Sequence, residues 1–265
     1  MRFSLNHMVS PHLNYAEFFD LASRLGVNAV EIRNDIPTAL MGIKNAKAIG
    51  KLAQDKGIEI INVNALQRWN QWDLKKSDAA KRLAEYTATT GAKNLILVPT
   101  NDKKFHPATA QRLDGLRVAL SGLKQILKDN NLIGCVEPLG FAECSLRMKA
   151  EAIAAIDDIG GSKRFKVTHD TFHHFVAGED EVFADRTGLI HISGVVDPKH
   201  IAATMRDPQR VLVDANDMID NKGQLRRLFA AGYKGYVSFE PFAAQVHKDK
   251  AIARSLSRSM DYLES

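Results

Sequence analysis

The chain has 265 residues, 45% apolar and 25% charged, an ordinary globular balance and enough length for one large domain spanning residues 1–265. Its formal charge of +5 comes from 36 basic and 31 acidic residues spread along the sequence, so a solvated surface is expected rather than a nucleic-acid partner. Two cysteines, Cys135 and Cys144, do not make a disulfide framework, and no apolar run approaches the ~18 residues of a membrane span. A soluble, cytoplasmic protein is expected.

Residues 2–8 read as a first strand ending near Asn6. Asn14 and Glu17 have the spacing of a capping box, which predicts a helix over 15–25 stopped by Gly26. Strand two, over 27–33, carries Glu31 and Arg33 toward its end. A helix over 46–56 closes on Gly57, and strand three follows over 58–64. Helix 77–90 stops at Gly91, before strand four over 94–99. A long amphipathic stretch, 108–130, leads into strand five, 132–136, which ends on Glu137. Helix 145–159 and strand six, 165–170, come next, then a short helical piece near 179–185 and strand seven over 189–193. Helix 222–231, strand eight over 236–240 and a final helix over 248–263 complete the chain.

Eight strand-then-helix units in this length imply a parallel sheet closed as a (β/α)8 TIM barrel, the α/β class. A doubly wound open sheet is the alternative. No G-x-G-x-x-G or G-x-x-x-x-G-K-[ST] follows any strand, which removes that fold's main nucleotide signature.

Such barrels place their chemistry where the strands end. Strands five to eight deliver Glu137, Asp170, His191 and Glu240. A lone carboxylate in such a place is ordinarily met by a salt bridge, but three with an imidazole on consecutive strands form a hard ligand set. That set suits one divalent ion: Mn²⁺, Co²⁺, Mg²⁺ or Zn²⁺. Glu137 and Glu240 are each followed by proline, which turns the chain out of the sheet, and both suit proton removal and return. His173 is a candidate for gripping a substrate oxygen, while His169 and His174 are expected to point elsewhere. Trp69 and Trp72 follow strand three, and one of them, Trp69, is a candidate pocket wall for the C–H face of a sugar-like ring.

At these residues the chain resembles the xylose-isomerase-like superfamily of sugar isomerases and epimerases, most of all its inosose isomerase branch. The resemblance runs over essentially the whole chain. It includes a first strand ending in Asn, Val-Glu-Ile-Arg ending at Arg33, and Asn-Ala-Leu beginning at Asn64. It also includes Asp-Thr-Phe-His from Asp170 to His173, His-Ile at His191, Asp-x-x-Arg-Val from Asp207 to Val211, and Ser-Phe-Glu ending at Glu240. It implies metal ligands at Glu137, Asp170, His191 and Glu240, and substrate contacts at His173, Arg210 and Asn64. It also implies a small polyol or ketose substrate and assembly as a homodimer or homotetramer. Two stretches depart from the pattern. The usual Pro-Gly-x-Gly is Val213-Asp-Ala-Asn-Asp217, and His-Ile-Asp-Asp is His191-Ile-Ser-Gly.

The expected activity is a metal-dependent isomerase of a hydroxy-ketone, inosose-like, acting through an enediolate with Glu137 and Glu240 as acid and base. A ketose 3-epimerase or an inosose-type dehydratase would use the same site. A DNA repair endonuclease on this barrel needs further histidines at strands three and four, where Asn62, Asn64, Pro99 and Thr100 stand; His106 is some residues into a loop. A non-catalytic binding barrel is the remaining alternative.

Overall fold

In the computed structural model, which describes residues 1–265, eight parallel strands close into a barrel in chain order. They are β1 (Phe3–Asn6), β2 (Ala29–Arg33), β3 (Glu59–Gln67), β4 (Asn94–Val98), β5 (Ile133–Val136), β6 (Phe165–Asp170), β7 (Thr187–Ile192) and β8 (Val237–Phe239). The last strand pairs with the first through Phe3 opposite Val237 and Leu5 opposite Phe239, so no edge is left exposed. The expected (β/α)8 barrel is therefore the observed fold. No helix is long and apolar enough to cross a membrane.

The helices form an outer ring: α1 (Tyr15–Arg24), α2 (Ile43–Asp55), α3 (Leu74–Thr89), α4 (Thr109–Asp129), α5 (Lys149–Asp158), α6 (Thr171–Ala177), α7 (Asn221–Ala230), α8 (Ala244–His247) and α9 (Ile252–Glu264). The main core lies between this ring and the barrel, around Phe18, Phe19, Leu95, Leu123, Phe165 and Phe239. Inside the barrel, Ala29, Ile61, Ile96, Cys135 and Leu189 from five different strands pack on one another as an apolar floor. Side chains alternate along a strand, so residues two further on, such as Glu31, Glu137 and His191, project into the same interior, one layer above that floor. Buried polar groups above a dry floor place the site.

Three predicted helices differ from the structure. No helix covers 179–185; the helix of this unit is α6, which starts directly after β6 with Asp170 as its cap and ends at Gly178, in the left-handed region at φ 67°. Glu179 instead caps α5, accepting from the backbone N–H of Lys149 at 3.1 Å and of Ala150 at 2.9 Å. Helix 145–159 begins only at Lys149, because Ser145 is tied to Thr100 by its backbone N–H (2.9 Å) and its hydroxyl (2.8 Å). The final helix is broken near Asp249, whose carboxylate accepts from the N–H of Ala251 and the hydroxyl of Ser255, and α9 starts after that turn.

Glu179 also faces the buried Lys149 ammonium at 2.8 Å. Burial works to raise its pKa, but the Lys149 ammonium and the Ala150 N–H overcome it and bring the carboxyl to about 2. A folded pKa below the unfolded value stabilises the native state above the unfolded pKa, and that contribution is lost as pH falls through the folded one. We expect roughly 2 kcal/mol, allowing for screening by solvent at its edge, to disappear between about pH 5 and pH 2. Urea midpoints across that range should fall more steeply for the wild type than for Glu179→Gln. Equal slopes would remove Glu179 from the acid transition.

Candidate metal centre and pocket

Four ligand-type side chains meet because four consecutive strands end in phase. Glu137, Asp170, His191 and Glu240 are all buried, and one donor atom from each lies within 4.8 Å of every other. The structure thus brings together the four residues expected to hold a metal.

His191 is gripped from both sides. Its Nδ1 lies 2.7 Å from Glu137 Oε1 and 3.4 Å from Glu240 Oε2, and its Nε2 lies 3.0 Å from Glu31 Oε2. Glu31 is wholly buried and accepts from Asn62 Nδ2 at 2.8 Å and from the Ser238 hydroxyl. Burial would make His191 harder to protonate, but Glu240, Glu31 and Glu137 outweigh it and raise its pKa well above the ordinary value.

The carboxylates differ in their surroundings. Glu240 Oε1 accepts from Arg33 Nη1 at 2.7 Å, Asn6 Nδ2 at 3.1 Å and Asn64 Nδ2 at 3.2 Å. Its Oε2 faces Arg210 Nη2 at 3.1 Å. Arg33 is in turn fixed by a two-pronged pair with Asp35, at 2.7 and 2.8 Å. Burial would raise Asp170, but Arg210, with Nη2 only 2.6 Å from Oδ2, together with His173 and His191 brings it down to about 2. Glu137 goes the other way. Burial pushes its carboxyl up, Glu240 and Asp170 add to the push, and His191 opposes them.

These residues fit a divalent cation. Three carboxylate donors and one imidazole are an oxygen-rich, hard ligand set. The buried cluster holds four carboxylates (Glu31, Glu137, Asp170, Glu240) against two guanidiniums (Arg33, Arg210). As a metal ligand His191 would give up its extra proton, leaving the cluster two positive charges short, which one divalent ion matches.

A cavity of about 310 Å³ opens above the cluster. Asn64, His173 and Arg210, expected to touch substrate, all line it. Asn64 turns its amide toward Glu240, and Arg210 is no solvated loop residue: it is 1% exposed and also donates to Ser193 Oγ at 2.9 Å. His173 is buried, its Nδ1 has no hydrogen-bond partner, and its ring packs edge-on against Phe141 with centroids 5.0 Å apart. Trp69 is elsewhere. It is wholly buried within the main core and does not line the cavity, because the chain after β3 turns inward between barrel and helices. Trp72 packs on α4, where a Cβ at Gly122 would strike its indole.

The aromatic at the pocket is Phe242, with the guanidinium carbons of Arg33 and Arg210 at 5.5 and 4.6 Å from its ring centroid. It follows Glu240 and Pro241, so the rule that drew attention to Glu240 applies equally two residues later. Glu31, Arg33 and Asn6 also bond within this cluster, without a role assigned from sequence; Asn6 ends β1, Arg33 ends β2, and Glu31 lies two residues earlier in β2. The altered stretch 213–217 does not line the cavity. There Asp217 Oδ2 accepts from the N–H of Asn221 at 2.8 Å, fastening the loop to α7.

The family described as xylose isomerase-like TIM barrel matches residues 19–264. No curated protein matches the sequence. Among solved structures, the chain is similar to a xylose isomerase domain containing protein from Salmonella typhimurium LT2, at 32% identity and TM-score 0.90, covering 100% of this chain and 97% of that one. An IOLI protein with a bound zinc atom shares the fold at 19% identity and TM-score 0.85, over 100% and 96% of the two chains. A D-psicose 3-epimerase from Clostridium cellulolyticum H10 shares it at 15% identity and TM-score 0.78, over 100% and 98%.

Proposed function

The chain belongs to the xylose isomerase-like TIM barrel family, and from that premise we propose that it is a divalent-metal-dependent isomerase of a small, inosose-like hydroxy-ketone. One observation carries the reading: four buried donor atoms of Glu137, Asp170, His191 and Glu240 converge within 4.8 Å, and two of these residues, Glu137 and Glu240, line a polar cavity. Those four residues would hold the ion, which supplies Lewis acidity toward the oxygens flanking the C–H bond to be broken. The zinc of the IOLI protein and the ketose in the name of the psicose epimerase agree with a metal and a sugar-like substrate.

The chain's own groups do the rest. Glu137 and Glu240 take a proton from the hydroxyl-bearing carbon beside the carbonyl and return one to the carbonyl carbon, while the hydroxyl proton passes to the old carbonyl oxygen, a role suited to carboxylates that line one pocket from separate strands, β5 and β8. The raised pKa of Glu137 brings it toward the range where a carboxyl both accepts and gives up a proton. His173 lines the cavity with a buried imidazole, suited to a substrate oxygen. Arg210 balances the charge of Asp170 and Glu240 and stands at the cavity wall, with Phe242 as its apolar face. A cavity near 310 Å³ suits a single polyol ring or open hexose.

The test is a solvent-exchange screen. Inososes and common ketoses are incubated with the metal-loaded protein in deuterium oxide, and metal content is measured in parallel. The reading expects about one metal per chain, with deuterium entering at the carbon next to a carbonyl and a carbonyl that has moved. Inversion at that carbon without movement of the carbonyl would instead make the protein an epimerase. No exchange with any of these ketones, or three metals per chain, would overturn it.

A further inference from the structure

A second buried polar cluster lies behind the pocket, on the side of β6 that faces the helices. Lys149, the first residue of α5, is only 3% exposed, unusual for a lysine. Its Nζ is 2.7 Å from His174 Nδ1 and 2.8 Å from Glu179 Oε2. An imidazole nitrogen that close to an ammonium can only accept, so His174 is neutral with its proton on Nε2. Beside it lies His169, ring centroids 4.5 Å apart, and His169 Nε2 meets Gln224 Oε1 at 2.9 Å. Gln224 then donates to the carbonyl of Thr171 at 3.1 Å, where α6 begins.

Everything in this cluster ends on α6. That helix is seven residues long, and neighbouring residues on it carry opposite duties: His173 turns to the cavity, His174 to Lys149. On its other side α6 rests on Gly140, in the turn that follows Glu137, so closely that a Cβ there would collide with the His173 carbonyl oxygen and the Ala177 nitrogen. The helix therefore cannot shift toward β5, and on the side away from Gly140 the charged groups that meet its C-terminal turn are Lys149 and Glu179.

We propose that Lys149, with Glu179 and His174, is a positioning clamp that holds α6 against Gly140 and so fixes the His173 imidazole over the pocket. This rests on the reading of His173 as the substrate-facing group. Lys149 touches no substrate; it acts through His174 and the helix backbone. Removing its ammonium leaves the Glu179 carboxylate buried without a cation, and a carboxylate in that position moves toward water. His174 then loses its anchor, and the C-terminal turn of α6, far from the Asp170 cap and the Gln224 bond that hold its first turn, is left to apolar packing alone.

Full-length protein carrying ¹⁵N-labelled histidine provides the test. At neutral pH the wild-type spectrum should show His174 as the Nε2-protonated tautomer; a proton on Nδ1, alone or with Nε2, overturns the clamp without any variant. In Lys149→Met the His173 ring signals should move or broaden, while those of His7, packed on α1, stay in place. Lys149→Met/Glu179→Gln removes both buried charges and guards against simple failure to fold; the same change at His173 is expected. Unmoved His173 signals in a folded variant overturn the proposal.

Calorimetry with Mn²⁺ alone should return wild-type affinity in both variants, since the four ligands are untouched, and a large loss there overturns the specific link to His173. With a substrate from the exchange screen, KM should rise about tenfold or more and kcat should fall less; an unchanged KM overturns it. The spectra need no substrate, so a screen without turnover defeats the proposed reaction while the clamp is still decided.

Discussion

Replacing Glu137 or Glu240 with alanine should abolish exchange of solvent deuterium into the substrate carbon, a loss of about 10²–10⁴-fold for a positioned proton carrier. The two replacements differ in what else they disturb. Glu137 is bonded on one oxygen to His191, so its loss removes one ligand and leaves the rest of the cluster paired. Glu240 is the hub for Asn6, Arg33, Asn64 and Arg210, and its loss takes one carboxylate partner from each of two buried guanidiniums, leaving Arg33 to Asp35 and Arg210 to Asp170. Glu137→Ala should therefore keep near-wild-type stability with exchange gone, while Glu240→Ala loses both. Exchange is read by proton NMR of the ketone, with metal content measured on the same samples. If metal is retained and exchange is unchanged in Glu137→Ala, Glu137 has no part in the proton transfer.

The difference between these glutamates also shows how far the sequence could be read. Glu137 and Glu240 look alike in the sequence, a short apolar strand closing on Glu-Pro, and strand-end logic found both together with Asp170 and His191. The same logic reached the barrel itself, because helix-stop glycines and apolar runs are local signals. Arg33 reaching Glu240 is a different matter, a contact between residues 207 positions apart that exists only once β8 pairs with β1. Trp69 went to the core rather than the pocket because the path of the chain after β3 is set by packing on the helix layer, which no spacing of residues announces. The short α6 was hidden for a third reason. Its residues, Thr171 to Ala177, include three adjacent groups with separate tertiary duties, so they carry no amphipathic period.

Glu31→Gln should weaken divalent-metal binding about 10–100-fold although Glu31 is not among the four converging ligands. The effect runs through His191. Its Nε2 faces Glu31 Oε2 at 3.0 Å, so a proton on Nε2 leaves the Nδ1 lone pair directed at Glu137 and Glu240, where the other donor atoms are. A carboxylate at that distance both holds this tautomer and makes the imidazole a stronger donor. Glutamine keeps the volume and the apolar packing, but it removes the charge and can turn its NH₂ toward Nε2, which favours the opposite tautomer. Asn62 and Ser238 now donate to the Glu31 carboxylate and would compete for the one remaining carbonyl oxygen. Calorimetric titration of wild type and Glu31→Gln with Mn²⁺ measures the effect directly, and thermal unfolding with and without the ion gives a second reading, since a ligand bound only by the native state raises the midpoint. Two proteins with equal Kd would mean that His191 needs no help from β2 to present Nδ1, and the buried Glu31 would then serve packing and charge alone.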